Sequence, residues 1–584
     1  MTTDARATIA TTPPRRHLLT IGLEDYFQVG AFNQHIQRGQ WYRFETRLET
    51  ATEKALALLK RHNVKATFFV LGWGADNFPE LVRRVADAGH EIASRGYYHR
   101  SIRQMTPAEF RDDLARARDS IERASGRRVH GFRVAHDWFG PEDLWALDVL
   151  SAEGYSYDSS ICPLLRRFVR EPWRRFAHQH QANGQTLWEF PPSTVRIFGL
   201  DVPIAGGNYF RQFPPGFIRR AVARWDRSTQ APFVMYFHTW ELDPEQPMLS
   251  AGSFLTRVRH YRNLRRMESR IEYFLSRYTF TSIADYLGIS PVVVEPGPAP
   301  ARRTATPFPI LMPSSRRTVT RTPVSIVVPC YNEELVLPYL ANTLKSVRER
   351  LANDYDLTFL LVDDGSTDHT WNGLQQSFGS WADCRLLKHN VNQGVAASIL
   401  TGIRAAQTEI VASIDCDCTY DPHELANMIP MLVEGVDLVT ASPYHPQGHV
   451  RNVPAWRLQL SKGASWLYRR VLHQPLHTFT SCFRVYRRSA VCDLQLRERN
   501  FLGVTELLGR LLLRGAKVVE YPATLEVRMI GRSKMKTVRT ILGHLRLMAR
   551  LTAARFGQAQ HAGPNTAQPI VVESPTDTVE RQRA

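Results

Sequence analysis

Between Ser290 and Pro323 the chain reads SPVVVEPGPAPARRTATPFPILMPSSRRTVTRTP, a stretch dense in proline, alanine, threonine and arginine that carries neither a helical nor an alternating apolar period. Each proline fixes its own φ and withholds a backbone donor, so such a run is an extended, semi-rigid linker through which no packed core can pass. The fold must therefore be assembled from the segments on either side, 17–289 and 324–556. A length of 584 residues agrees with that division, because single cores stop growing beyond roughly 250–300 residues. The ends, 1–16 and 557–584, are polar and rich in small residues, and disorder is expected for both.

Both segments alternate β-branched apolar runs with longer amphipathic stretches, the pattern of α/β architecture. Lysine and arginine total 74 against 56 acidic residues, a formal net charge of +18, which favours phosphate-bearing partners. Nucleic acid is set aside, since the excess arginine lies in the linker and near phosphate-type motifs with no interleaved aromatic stacking pattern. Nowhere do about 18 apolar residues run together. The N-terminal MTTDARATIATTPPRRHLL also lacks the apolar run of a signal peptide. A cytoplasmic protein is expected, soluble or peripheral on the inner face of the membrane. Six of the seven cysteines lie beyond residue 329 without zinc-ligand spacing, and they read as reduced thiols.

The C-terminal segment carries the clearer chemistry. VSIVVPCYNEE, from Val324, reads as a buried parallel strand running into a loop and a helix; LTFLLVDDGSTDHT ends likewise, with Asp363, Asp364 and Asp368 around a Gly-Ser turn. A third strand, EIVASIDCDCTYDP, ends in Asp415 and Asp417. Ligands of open parallel sheets bind beyond the carboxyl ends of the strands, so these acids should share a crevice. One intervening residue at a strand end points both carboxylates the same way, able to grip Mg²⁺ or Mn²⁺ that in turn holds a diphosphate. Asp-Gly and Asp-Pro are also ordinary turn chemistry, but three such strand ends together favour a site.

In this order, VVPCYNEE, VDDGSTD, NVNQGVAASILTGI, SIDCDCTYDP, TSCFRVYRR and GRSKMK resemble a family 2 glycosyltransferase of Rossmann-like GT-A fold, close to the polyprenyl-phosphate sugar synthases. The resemblance implies that Pro329, Glu333 and Asp364 line the nucleotide, with Asp363 beside them. It implies that Asp415 and Asp417 form the metal and diphosphate motif, and that Arg457, Ser461, Arg532, Ser533 and Lys534 grip phosphate. Arginine suits that work because its planar fork meets phosphate oxygens in pairs. Glu506, in FLGVTELLGR, falls near a family carboxylate beside the acceptor, and a helix-capping or surface role reads equally well. A phosphate acceptor hardly needs a base; a hydroxyl acceptor would need one, from Glu506 or an acid near Asp417. A nucleotide-sugar donor and a lipid-linked or polysaccharide acceptor follow. The last stretch, Lys534 to Gly557, sets Val538, Ile541, Leu542, Leu545 and Met548 at helical spacing with Arg539, Arg546 and Arg550 on another face. That is the pattern of a basic helix lying on an anionic membrane or of one docked on the domain's own core.

In the N-terminal segment HLLTIGLEDYFQV ends in Glu24 and Asp25, and GHEIASRGYYH ends around Arg95 to His99. VHGFRVAHDWFG and PFVMYFHTWELDP continue a series that suggests a barrel of parallel strands with Asp25, His99, Arg133 and His238 at its carboxyl end. EDYFQV, ATFFVLGWGAD, GHEIAS, YDSSICP, EFPPSTV and HTWELDPEQP resemble a NodB-type polysaccharide deacetylase, a (β/α) barrel, of the subgroup linked with exopolysaccharide export. In that family a carboxylate and two histidines hold a divalent metal such as Zn²⁺ that activates water. The resemblance makes Asp25 the metal carboxylate, His99 one histidine and His238 the late acid. The departures are large. Arg95 stands where the other metal histidine belongs, Gly22 replaces an expected aspartate, and Arg133-Val134-Ala135-His136 replaces Arg-Ala-Pro-Ser. Arginine stays cationic and cannot ligate a metal. His136 or Asp137 could complete a site with Asp25 and His99, and Arg95 could instead pair with Asp25. The reading is a glycosyltransferase of cell-surface polysaccharide synthesis fused to a catalytically impaired deacetylase-like domain. A bifunctional deacetylase-transferase and a non-catalytic carbohydrate-binding assembly protein are the alternatives.

Overall fold

The computed structural model describes residues 15–182, 184–294, 321–453, 455–531 and 537–559, with backbone alone for Ala182, 455–457, 537–541 and 557–559. The chain folds as two compact units. The first unit is a curled sheet whose central strands are β1 (Arg16–Leu23), β2 (Thr67–Val70), β3 (Glu91–Ser94), β4 (Gly131–Phe132) and β5 (Tyr157–Asp158). They run parallel in that order. Strand β6 (His178–Ala182) pairs antiparallel with β7 (Gln185–Glu189), which continues the sheet beyond β5. A separate hairpin is formed by β8 (Thr194–Ile197) and β9 (Leu200–Pro203). On the other flank β10 (Val234–His238) and β11 (Thr279–Thr281) both pair parallel with β1.

The expected barrel is therefore closed differently from a continuous ladder. Ser193 Oγ accepts from Val234 N at 2.9 Å and Ala205 O accepts from Tyr236 N at 2.7 Å, so irregular chain bridges the gap beside β10. Strands β1, β2 and β10 are apolar on both faces because helices cover the sheet. The helix Pro107–Ser125 illustrates how sequence sets those covers. Thr106 and Glu109 form its capping box, Gly126 ends it at φ 67°, and Phe110, Leu114, Ala117 and Ile121 fall at helical spacing and are buried.

In the second unit seven strands form the sheet β14-β13-β12-β15-β18-β16-β19. These are β12 (Thr322–Cys330), β13 (Tyr355–Asp363), β14 (Cys384–Lys388), β15 (Ile410–Ser413), β16 (Leu438–Ser442), β18 (Arg484–Arg487) and β19 (Val518–Pro522). Short β17 (His449–Val450) and β20 (Thr524–Leu525) pair apart from them. Only β18 runs antiparallel, inserted between β15 and β16. Strands β12, β13 and β15 consequently end side by side, bringing their acids into one crevice.

Several expected boundaries move. The first ordered element starts at Arg16, anchored by Arg15, whose Nη1 donates to Asp226 O at 2.6 Å. Linker residues 292 and 294 are tied to the first unit, since Arg128 N donates to Val292 O at 3.0 Å and Val294 N to Gly126 O at 3.1 Å. Thr322 and Pro323 already belong to β12, where Pro323 sits near the strand's start and withholds no mid-ladder donor. The last helix, Thr537–Ala559, runs past residue 556. Residues 1–14, 295–320 and 560–584, on which the remaining disorder and linker expectations fall, lie outside the described residues.

That last helix is docked on the core. Leu547, Met548 and Leu551 pack in one cluster with Leu502, Leu507, Leu508 and Leu511 of the helix Phe501–Leu513, while Leu542 and Leu545 face outward. The same core contains Arg484, fully buried, its Nη1 donating to Val504 O at 2.8 Å and Nη2 to Phe479 O at 2.9 Å. Arg484→Ala removes both donors and leaves a void. It should lower the stability of this unit by about 3–5 kcal/mol, read as a shift of the urea midpoint against the parent.

Candidate functional site

In the first unit the strand-end site is built around Glu24. Side chains alternate along β1 and its extension, so Gly22 and Glu24 point one way and Asp25 the other. Glu24 Oε1 lies 2.8 Å from His238 Nδ1, and Oε2 lies 3.4 Å from Arg95 Nη2 and 3.5 Å from His99 Nε2. Asp25 turns away: its Oδ2 accepts from Thr46 Oγ1 at 2.7 Å and Arg47 N at 2.9 Å, and Oδ1 from Tyr26 N at 2.9 Å. This corrects two expectations. The carboxylate facing His99 is Glu24, not Asp25, and Arg95 pairs with Glu24, not Asp25.

Electrostatics follow the same split. Burial drives the Glu24 carboxyl up, yet the Arg95 charge, then His238 and His99, hold it well below the usual carboxylate range. Asp25 has only neutral donors, and burial pushes it up to about 6. Gly22 is what lets Arg95 in, because a Cβ there would overlap Arg95 Nη1 and His238 Nδ1. Arg95 Nη1 in turn lies 3.2 Å from His238 Nδ1 and Nη2 donates to Ala135 O at 3.1 Å. The aspartate missing at 22 and the histidine missing at 95 are therefore one exchange: a guanidinium fills the volume and supplies the charge.

Asp25 and His99 consequently do not form a metal site, and no group of three metal-ligating side chains occurs among the described residues. The residues do not fit the family's metal. His136 does approach, its ring 5.7 Å from that of His99, but its Nε2 faces Asp137 at 3.4 Å. Arg133 is buried against Phe69 and Ser159 and serves the core beneath. His238 is held by its backbone, donating to Glu241 Oε2 at 3.0 Å, and Glu241 is fixed by Arg211 at 2.7 Å.

The second unit gathers Pro329 at the end of β12 and Glu333 after it, Asp363 at the end of β13 and Asp364 after it, and Asp415 and Asp417 after β15. Asp363 is fully buried; its Oδ1 accepts from Ser366 N at 3.3 Å and its Oδ2 has no hydrogen-bond partner within the protein. Asp364 is saturated by His389 Nδ1 at 2.7 Å, Asn392 Nδ2 at 2.9 Å, Gln393 N at 2.8 Å and Gly394 N at 2.7 Å. Of the two neighbours, Asp363 is thus the one with an oxygen to offer a ligand, while Asp364 ties the NVNQG loop to the sheet.

Asp417 Oδ2 accepts from Arg528 Nε at 2.6 Å and Glu333 Oε1 from Arg528 Nη2 at 2.7 Å. Asp415, deeper, is pushed up to about 7 by burial first and by Asp417 second. Such a pair fits a divalent cation, because added positive charge relieves the conflict that holds Asp415 protonated. Arg528 supplies a partial substitute from one side. Sequence reading missed it, although it stands three residues before Gly531 in VRMIGRSKMK; it also missed His389.

Glu506 is buried, accepting from Glu498 N at 2.7 Å and Arg510 Nε at 2.8 Å. It anchors the loop before its own helix, nearer the structural of the two readings the sequence left open than the acceptor-side carboxylate. Ser461 Oγ is 3.4 Å from Thr480 Oγ1. The side chain of Arg457, and all of Arg532, Ser533 and Lys534, lie outside the described residues.

Comparison with known proteins agrees with this division. The glycosyl transferase family 2 model matches residues 325–494, the polysaccharide deacetylase model residues 38–139, and a domain of unknown function residues 159–288. A dolichol-phosphate mannosyltransferase of Pyrococcus furiosus is 29% identical over 39% of this chain and 63% of its own length. A polyprenol monophosphomannose synthase of Mycolicibacterium smegmatis is 31% identical over 38% of this chain and 84% of its own. For the first unit, a peptidoglycan-N-acetylglucosamine deacetylase of Bacillus cereus is 31% identical over 18% of this chain and 44% of its own. The chain thus spans less than two thirds of the first and third of these relatives. Through its C-terminal unit it belongs to glycosyl transferase family 2, and it carries a deacetylase-like domain ahead of it.

Two measurements test these sites. Gly22→Asp alone should destabilise the first unit by crowding Arg95 and His238, whereas Gly22→Asp with Arg95→His, which removes the first overlap and the fixed cation, should recover thermal stability only when Zn²⁺ is added, seen by calorimetry and metal analysis. In the second unit, Asp415 is protonated in the fold below about pH 7 although an exposed aspartate ionises near 4. The native state therefore takes up a proton in that window, and its own stability falls as pH rises through it. Cation binding must release that proton, so Mn²⁺ affinity should rise about tenfold per pH unit below pH 7 and level off above. Electron paramagnetic resonance of free Mn²⁺ between pH 5.5 and 8 would read this, and Asp415→Asn should flatten the profile.

Proposed function

We propose that the C-terminal unit transfers a sugar from a nucleotide-sugar donor to a lipid-phosphate or glycan acceptor in cell-surface polysaccharide synthesis, and that the deacetylase-like unit has given up hydrolysis. The observation that carries the reading is the acidic pair Asp415 and Asp417 flanked by Arg528 at the adjoining ends of β12, β13 and β15. Asp415 and Asp417 would hold Mg²⁺ or Mn²⁺, whose charge neutralises the diphosphate as it departs. Around that pair the protein's own groups divide the work. Asp363 offers an oxygen to the nucleotide, and Pro329 shapes the wall beside it. Glu333 and Asp417 hold Arg528 within reach of phosphate oxygens, where its fork can follow charge from the protein onto the leaving group.

The names of the relatives favour a polyprenyl-phosphate acceptor. Such an acceptor is already anionic at the attacking oxygen, which agrees with Glu506 being committed to its loop. The protein would meet it at the cytoplasmic membrane surface. No helix among the described residues is long and apolar enough to cross a membrane, while Leu542, Leu545 and Trp466 are exposed on the helices Thr537–Ala559 and Ala455–Leu472. Both features support peripheral contact.

The deciding experiment is a nucleotide-sugar hydrolysis and transfer screen with Mn²⁺ or Mg²⁺ and polyprenyl phosphate. Asp415→Ala and Asp417→Ala should each reduce turnover by about 100-fold or more. Parent-like turnover in both would remove the site from this crevice.

A further inference from the structure

The hairpin β8–β9 of the first unit ends in Phe198-Gly199. Phe198 is 98% exposed and its backbone lies at φ 48°. A tight two-residue hairpin turn with positive φ at both positions selects Asn, Asp or Gly. A bulky aromatic there is strained, and full exposure of its ring adds a second penalty. Folding alone would favour almost any polar residue at this tip.

Phe198 is not isolated. The loop Leu164–Phe176 lies along the hairpin, with Leu165 N donating to Asp201 O at 2.7 Å, Asp201 N to Leu165 O at 2.9 Å, and Arg175 Nη2 to Thr194 O at 2.8 Å. Leu165 repeats the anomaly: it is 52% exposed at φ 59°. Val169 and Trp173 in the same loop are also exposed. Over the two segments Arg166, Arg167, Arg170, Arg174, Arg175 and Arg196 face only Glu171 and Asp201 as acids. Both acids are already engaged, Glu171 by Arg174 at 2.8 Å and Asp201 by Arg196 at 3.0 Å. Arg166 and Arg170 remain exposed beside the apolar residues.

We propose that this hairpin and its flanking loop are a docking surface for an anionic phospholipid bilayer, with Phe198 and Leu165 entering the interface and Arg166 and Arg170 meeting lipid phosphates. The chemistry selects a membrane over a protein partner. The apolar residues sit on a projecting two-residue tip and a loop, not in a groove that would receive a peptide, and the unmatched charge is of one sign. Aromatic and aliphatic side chains flanked by arginine are what the boundary between headgroups and acyl chains accepts. The surface belongs to the segment matched by a domain of unknown function, residues 159–288.

Flotation of the full chain with phosphatidylglycerol–phosphatidylcholine vesicles, against phosphatidylcholine alone, tests it. The parent should float with the anionic vesicles, and retention should fall as salt rises. Phe198→Asn places a residue the turn prefers, so its melting temperature should equal or exceed the parent's while vesicle affinity drops about tenfold or more. Arg166→Glu with Arg170→Glu should lose binding to a similar extent, with nucleotide-sugar turnover on soluble acceptor unchanged in every variant. Equal binding to neutral vesicles, parent-like flotation of Phe198→Asn or of the arginine pair variant, or no flotation of the parent would each overturn the assignment.

Discussion

A carboxylate taken out of water at the end of a buried strand must be matched by a cation or by several hydrogen-bond donors, and both units of this chain are organised around that requirement. Unpaired, such a charge costs several kcal/mol even after relaxation. Glu24 is matched by Arg95 and two histidines. Asp364 is matched by a histidine, an asparagine and two backbone amides. Asp415, crowded by Asp417, lacks such a match and is left protonated to about pH 7. The difference among these three acids separates structural carboxylates from the one whose charge waits on a ligand.

How the cation is supplied decides what each site can do. Arg95 is locked: Gly22 makes its room, the Ala135 carbonyl and Glu24 hold its Nη2, and its surroundings are closed. A fixed guanidinium has no exchangeable position at which water could be activated, so Arg95 cannot supply coordination chemistry. Charge balance at Glu24 is kept by Arg95 in place of a metal. Removing either Arg95 or Glu24 would leave the other buried and unmatched, and the pair persists as a structural element once formed.

Much of this was legible in the sequence. The linker, the two α/β units and the acids ending β12, β13 and β15 follow from apolar runs that stop at Asp or Glu, because a strand buried on both faces has little other signature. The exchange of a histidine for Arg95 was legible as well. Parity was misjudged at β1: Glu24 and Asp25 are adjacent in EDYFQV, and only the register of Gly22 against His238 settles which of them faces inward. Arg528 was hidden for a different reason. It lies 111 residues from Asp417, and nothing local to VRMIG marks its charge as inward-facing. Glu506 was left open between two roles for the same cause, since its partners at Arg497 and Glu498 are visible only once the helix Phe501–Leu513 is placed.

Arg528 and Arg95 perform the same electrostatic task with opposite consequences. Arg528 is ion-paired with two carboxylates, Asp417 and Glu333, and both are residues that a nucleotide diphosphate and its cation would engage. On the proposed reading Asp415 and Asp417 would hold the cation, and Arg528, still paired with Glu333, could then donate to phosphate oxygens. Arg95 has no such alternative, because its partners are strand-end groups and a backbone carbonyl that no ligand displaces. A transferable arginine beside an under-neutralised aspartate is a preorganised anion site; a locked one beside a satisfied glutamate is packing. On that distinction, and not on the presence of acids at strand ends, rests the proposal that chemistry in this chain belongs to the second unit.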